Sequence, residues 1–99
     1  MELKNHCRYA QRFNRQQVMC EITMDADRIS LSFGRIYPSP LKRVAEEMEN
    51  MKLCGYTIVE GTRIWLMHPD FGMFADEVEL KSIVSDLLSE ENYNIIYKE

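Results

Sequence analysis

No apolar run in this chain approaches the roughly 18–20 residues that a helix needs to cross a bilayer, so no membrane span is expected. Met1 is not followed by a basic stretch and a long apolar one, so no secretory signal is read there. The three cysteines, Cys7, Cys20 and Cys54, are odd in number and irregular in spacing, which excludes a full disulfide framework. Reduced thiols and a cytoplasmic location follow as expectations, whether of a cell or of one infected by a phage or virus. Glycine is scarce, with four in all, and none lies in a GxGxxG or GxxxxGK[ST] phosphate cradle. His6, Cys7, Cys20, Cys54 and His68 form no CxxC or HxxxH spacing, so no metal site is expected. Neither histidine stands in a nucleophile motif. Enzyme activity and a cofactor are therefore not expected.

What is present describes a folded domain. The 99 residues are 45% hydrophobic and contain no low-complexity run, so residues 1–99 are read as a single domain. Charge is unevenly placed. Residues 1–18 hold Lys4, Arg8, Arg12 and Arg15 against Glu2, a net +3, which leaves −7 on the rest of a chain whose total is −4. An acidic body repels phosphate and argues against nonspecific nucleic-acid binding by that body.

Local patterning gives the elements. Val18, Cys20, Ile22 and Met24 alternate with polar residues, Asp25-Ala26-Asp27 is a turn, and Ile29, Leu31 and Phe33 resume the alternation, which is a hairpin. The two carboxylates of that turn lack further oxygen ligands, so a solvated turn is preferred to a calcium loop. Ser39 followed by Pro40 reads as a helix start, and Leu41, Val44, Ala45 and Met48 share one face. Gly55 is placed to stop that helix in a left-handed conformation. Tyr56 and Ile58 then begin a second hairpin that turns at Glu60-Gly61. In its other strand Ile64, Leu66 and His68 share one face while Trp65 and Met67 take the other, so the strand is apolar on both sides and belongs in the middle of a sheet or under a second layer. Asp76 with Glu79 forms a capping-box start, and Leu80, Ile83, Val84 and Leu87 make an apolar stripe. Tyr93–Tyr97 alternates as a last strand.

Arg28-Ile29-x-Leu31 recurs as Arg63-Ile64-x-Leu66, 35 residues on, and the helices recur 39 residues on. The chain is therefore read as two ββα units followed by a strand, ββαββα plus β. The fold class expected is α+β, with a largely antiparallel sheet and its helices, near 40–52 and 76–89, packed on one face. Residues 1–17 form a basic segment, either helix or extended arm.

Candidate functional residues fall into groups, each with a plainer alternative. Trp65, Met67, Phe71, Met73 and Phe74 gather the side chains that interface cores favour, and such residues also cover the second face of a small sheet. Asp86, Glu90 and Glu91 lie near a helix C-terminus, where the dipole disfavours them; they read as a docking patch for a basic partner or as solubilising charge. Lys42 and Arg43 are spaced to pair with Glu46 and Glu47, and Glu77 with Lys81. His68-Pro69-Asp70 resembles the tripeptide of the J-domain cochaperones, but here it follows a strand, so a turn held by Asp70 is preferred.

The function expected is a protein–protein interaction module (an adaptor, inhibitor or regulatory protein) with an unidentified protein partner. One alternative is a nucleic-acid or ribonucleoprotein contact through Arg8, Arg12 and Arg15. Another is a small-ligand sensor with its pocket between the two ββα units. A homodimer through the sticky edge of Tyr93–Tyr97 is a further expectation, unless the basic N-terminal segment covers that edge.

Overall fold

Side chains alternate across a pleated strand, and that geometry sorts this chain into a buried and an open face. The computed structural model describes residues 15–98. Expectations placed on residues 1–14, including Arg8, Arg12 and the choice of helix or arm, lie outside the described residues.

Strand β1 (Gln16–Met24) pairs antiparallel with β2 (Arg28–Phe33), and the Asp25 N–H closes the turn on the Arg28 carbonyl at 2.9 Å. Strands β3 (Cys54–Glu60) and β4 (Arg63–Pro69) repeat the hairpin, with Gly61 at φ 61° in its turn. Glycine suits that turn for its backbone freedom and not for space, since an added Cβ would meet nothing within 4 Å. The sheet order is β3-β4-β2-β1-β5, where β5 (Tyr93–Tyr97) runs parallel to β1 and the other pairings are antiparallel.

The repeat visible in the sequence extends into the registers. Ile22 opposite Leu31 corresponds to Thr57 opposite Leu66, and Met24 opposite Ile29 to Val59 opposite Ile64, both at the 35-residue offset. Between the hairpins Ser30 faces Trp65, its own counterpart at the same offset. A local two-fold relation therefore passes through the Ser30–Trp65 pair.

Helices α1 (Pro38–Asn50) and α2 (Glu77–Glu90) cover one face. Leu41, Val44, Ala45 and Met48 of α1 and Leu80, Val84 and Leu88 of α2 share one cluster with Ile29, Leu31, Ile64 and Leu66. The stripe on α2 is thus rotated slightly from the expected one: Leu88 is buried, while Ile83 and Leu87 flank the core half-buried. No helix among the described residues is long and apolar enough to cross a membrane.

Helix ends correct two expectations. Helix α1 begins at Pro38 with Tyr37 as an N-cap that makes no side-chain bond, so Ser39 is not the cap. Both prolines fall in the first turn, where missing N–H groups cost nothing. Gly55 lies inside β3, and the left-handed stop is Lys52 at φ 60°. The Lys52 N–H reaches the Glu49 carbonyl and the Leu53 N–H reaches Met48, which closes the helix end while burying Leu53. Helix α2 starts as expected: the Asp76 carboxylate accepts from the Glu79 N–H at 2.9 Å, and Glu79 in turn accepts from the Ala75 N–H.

Two contacts fasten the outer strands to the helices. The Tyr97 hydroxyl donates to the Lys81 carbonyl at 2.6 Å and accepts from Ser85 at 2.8 Å, tying β5 to α2. On the other edge the Glu49 carboxylate accepts from the Thr57 hydroxyl at 2.5 Å and from its N–H at 2.7 Å. An outer strand offers unpaired amides to other chains, and Glu49 occupies one of them.

Val44→Asp should destabilise the domain by about 4–5 kcal/mol, from lost apolar burial and an unpaired buried charge, against a typical stability of roughly 5–15 kcal/mol. Denaturant unfolding measures this, and a loss under about 1 kcal/mol would contradict the packing. The second prediction concerns Glu49, whose hydrogen bonds from the Thr57 hydroxyl and then its N–H hold its carboxyl below the usual range. Since its folded pKa lies below the unfolded value, this contribution is complete at neutral pH and disappears as pH falls through the folded pKa. The protection factor of the Thr57 amide should fall on acidification and in Glu49→Ala. Unchanged protection in that variant would disprove the contact.

Candidate functional site

The face opposite the helices is built by the other half of each alternation. Across it stand Tyr56 and Ile58 of β3, Met67, Trp65 and Arg63 of β4, Arg28, Ser30 and Ser32 of β2, and Thr23 and Glu21 of β1. An antiparallel sheet with one solvated face ordinarily carries polar side chains there. On β1 and β2 it does, apart from Met19 of β1, which is 46% exposed on the same side as Glu21 and Thr23. On β3 and β4 the face is apolar instead: Tyr56 and Ile58 are 45% and 41% exposed, and Trp65 and Met67 are half-buried beside them.

Trp65 occupies the centre. Its cross-strand neighbour is the small Ser30, which is only 8% exposed. The Arg63 and Arg28 guanidinium carbons lie 5.2 Å and 5.1 Å from the indole centroid. Arg63 stands two residues before Trp65 on its own strand, and Arg28, its counterpart in the repeat, lies on the diagonal across β2. The indole is thus approached from both directions along the strand. Each such contact is worth about 0.5–1 kcal/mol at an exposed site. Among the described residues neither arginine forms an ion pair, although Glu60 stands directly opposite Arg63. Thr23, Asp25, Arg28, Ser30, Arg63 and Trp65 line a concavity of about 210 Å³ at the junction of the two hairpins. At the far end of β4, His68 packs edge-on against Tyr56 at 5.9 Å.

The residues singled out from the sequence separate into several places. Trp65 and Met67 belong to the open face. Phe71 and Met73 are exposed on the loop between β4 and α2. Phe74, grouped with them as a candidate for partner binding, is a core residue at 1% exposure, because the loop folds it inward beneath Phe71, ring to ring at 5.5 Å. Asp70 closes that loop as expected, accepting from the Gly72 N–H at 2.9 Å.

The acidic candidates are not all unpaired. Asp86 and Glu90 are exposed on α2, but Glu91 contacts Arg43 at 3.7 Å and keeps only 17% of its side chain exposed. Arg43 therefore reaches the other helix instead of pairing with Glu47 on its own. The expected Glu77–Lys81 pair forms at 3.6 Å. Arg43, Glu47, Glu90 and Glu91 rim a groove of about 330 Å³ floored by Val44 and Leu87. Arg15, a candidate for nucleic-acid contact, donates to the Ser89 hydroxyl at 2.6 Å, where its charge complements the C-terminus of α2.

Arg28, Arg63, Ser30, Tyr56 and Ile58 were not among the sequence-derived candidates. The signal available for the arginines was the repeated Arg-Ile-x-Leu motif, whose first residue marks the open face in both halves. Among the described residues the thiols point away from chemistry: burial pushes Cys20 up to about 12 and raises Cys54 as well, which disfavours the reactive thiolate in both. Comparison of the chain with family models, curated proteins and solved structures returns no match in any of the three.

Proposed function

We propose that the protein is an interaction module, an adaptor, inhibitor or regulatory protein, that docks a protein partner on its open sheet face. The observation that carries this is the block of Tyr56, Ile58, Trp65 and Met67, flanked by Arg28 and Arg63, on a face that neither helix covers. Tyrosine, tryptophan, methionine and arginine are the residues enriched at interface cores. Docking across the face also suits the edge of β3, where Glu49 already holds the Thr57 amide. The small-ligand alternative is less favoured, since the concavity of about 210 Å³ at the hairpin junction falls below the roughly 300–1,000 Å³ of typical ligand sites, and the larger groove of about 330 Å³ between the helices is lined mainly by charged residues where such sites are mostly apolar. The nucleic-acid alternative loses support where Arg15 is engaged by Ser89.

A photo-crosslinking side chain placed at Ile58 should give a protein adduct of defined mass in the source cell, weakened by Tyr56→Ser. The same probe at Glu46, exposed on α1, should give none. Equal capture at both positions, or a nucleic-acid adduct at Ile58, would reject this function.

Self-association through β5 is a second reading, favoured by the place of that strand at the end of the sheet. Two copies could extend one sheet about a two-fold axis. Sedimentation distinguishes the cases: a dimer should appear as concentration rises, and an unchanging 11.7 kDa species from micromolar upward ends the idea.

A further inference from the structure

Two cations and an indole on an acidic protein call for a physical explanation. Arg28 and Arg63 occupy matching positions in the two hairpins, and both converge on the single tryptophan of the chain. Asp25 lines the same concavity and Glu60 stands beside Arg63, yet neither lies within ion-pair distance of either arginine. Both guanidiniums are exposed, and among the described residues no side-chain or backbone acceptor engages either guanidinium. The hydroxyls of Ser30 and Thr23 complete the lining. Guanidinium is the side-chain group whose planar fork of N–H donors matches a carboxylate in two parallel bonds.

We infer that the Arg28–Trp65–Arg63 cluster receives a carboxylate, and that the partner of the open face is an acidic–apolar protein segment. The carboxylate enters the concavity between the hairpins, while neighbouring apolar side chains of the segment cover Tyr56, Ile58 and Met67. The inference rests on the docking function proposed above and adds the chemistry of the partner.

A nucleic acid fits the same surface less well, for two reasons. The arginines occupy the approaches to the indole on which a base would stack. Glu21, Asp25 and Glu60 also balance the charge of this face, and a run of phosphates would lie against them. A segment whose carboxylates are separated by apolar residues can present one of them to the two arginines and lay its uncharged side chains against the rest of the face.

Trp65 makes the test direct, because its emission reports this site alone. The protein is titrated with a soluble peptide of Glu-Leu repeats, with its Gln-Leu counterpart, and with single-stranded oligouridylate. The Glu-Leu peptide should shift the emission saturably, more weakly as salt rises. Arg28→Gln and Arg63→Gln should each weaken that binding at least tenfold while leaving the circular dichroism of the folded protein unchanged. Ile58→Ala should weaken it too. Equal binding of the Gln-Leu peptide, unaffected by the arginine variants, would overturn carboxylate recognition and leave docking by the face intact. Binding of oligouridylate in preference to the peptide would overturn the inference, as would failure of any peptide to bind. In that last case crosslinking at Ile58 still decides the docking function separately.

Discussion

The pairing of β2 with β4 is the contact on which the molecule depends. It joins the two hairpins into one sheet, and its register sets Ser30 against Trp65. That single register sends Ile29, Leu31, Ile64 and Leu66 together under the helices and Arg28, Trp65 and Arg63 together onto the open face. A slip of one residue would exchange the faces and expose the core. It would also separate the two arginines from the ring they share. Core and candidate interface are thus two sides of the same backbone hydrogen bonds.

The local two-fold relation explains why the centre of the open face is asymmetric in its side chains. Equivalent positions meet at the axis, where two tryptophans would compete for one space. Serine on one strand and tryptophan on the other settles that competition, and the indole then covers Ser30. The arginines two residues before each of these positions remain symmetric and both reach the one ring. Strand β5 breaks the symmetry, because it joins β1 in parallel and has no counterpart beside β3 among the described residues. Its place is secured by Tyr97, whose hydroxyl is bonded twice to α2 and whose pKa burial lifts to about 12.

Charge placement follows the element ends more than the helix faces. Arg43 crosses from α1 to Glu91, and Arg15, just before β1, reaches Ser89, so the C-terminus of α2 gains two cations that its own last turn lacks. Glu49 leaves its helix to hold the edge of β3. Each of these charges serves an inter-element contact, whereas Arg28 and Arg63 on the open face form no ion pair among the described residues. The acidic–apolar partner proposed for that face would meet these two unpaired guanidiniums.

Periodicity alone determined the elements, their order, the α+β class and the helices on one side. Alternation and helical spacing are local, and a buried face demands them wherever it lies. Sequence also marked the 35-residue repeat, though not that its registers would meet at Ser30 and Trp65, since no local pattern encodes which hairpin edge joins which. Tertiary structure alone decided that β5 pairs in parallel, that Lys52 and not Gly55 stops α1, and that Phe74 turns inward from a loop whose apolar residues look alike in sequence. It decided the candidate site as well. Tyr56 and Ile58 read as ordinary strand residues until the sheet order places them beside Trp65 on the face that neither α1 nor α2 covers. The arginines read as solvated charge until strands 35 residues apart bring both to one indole, because contacts between distant segments depend on register and not on neighbours in the chain.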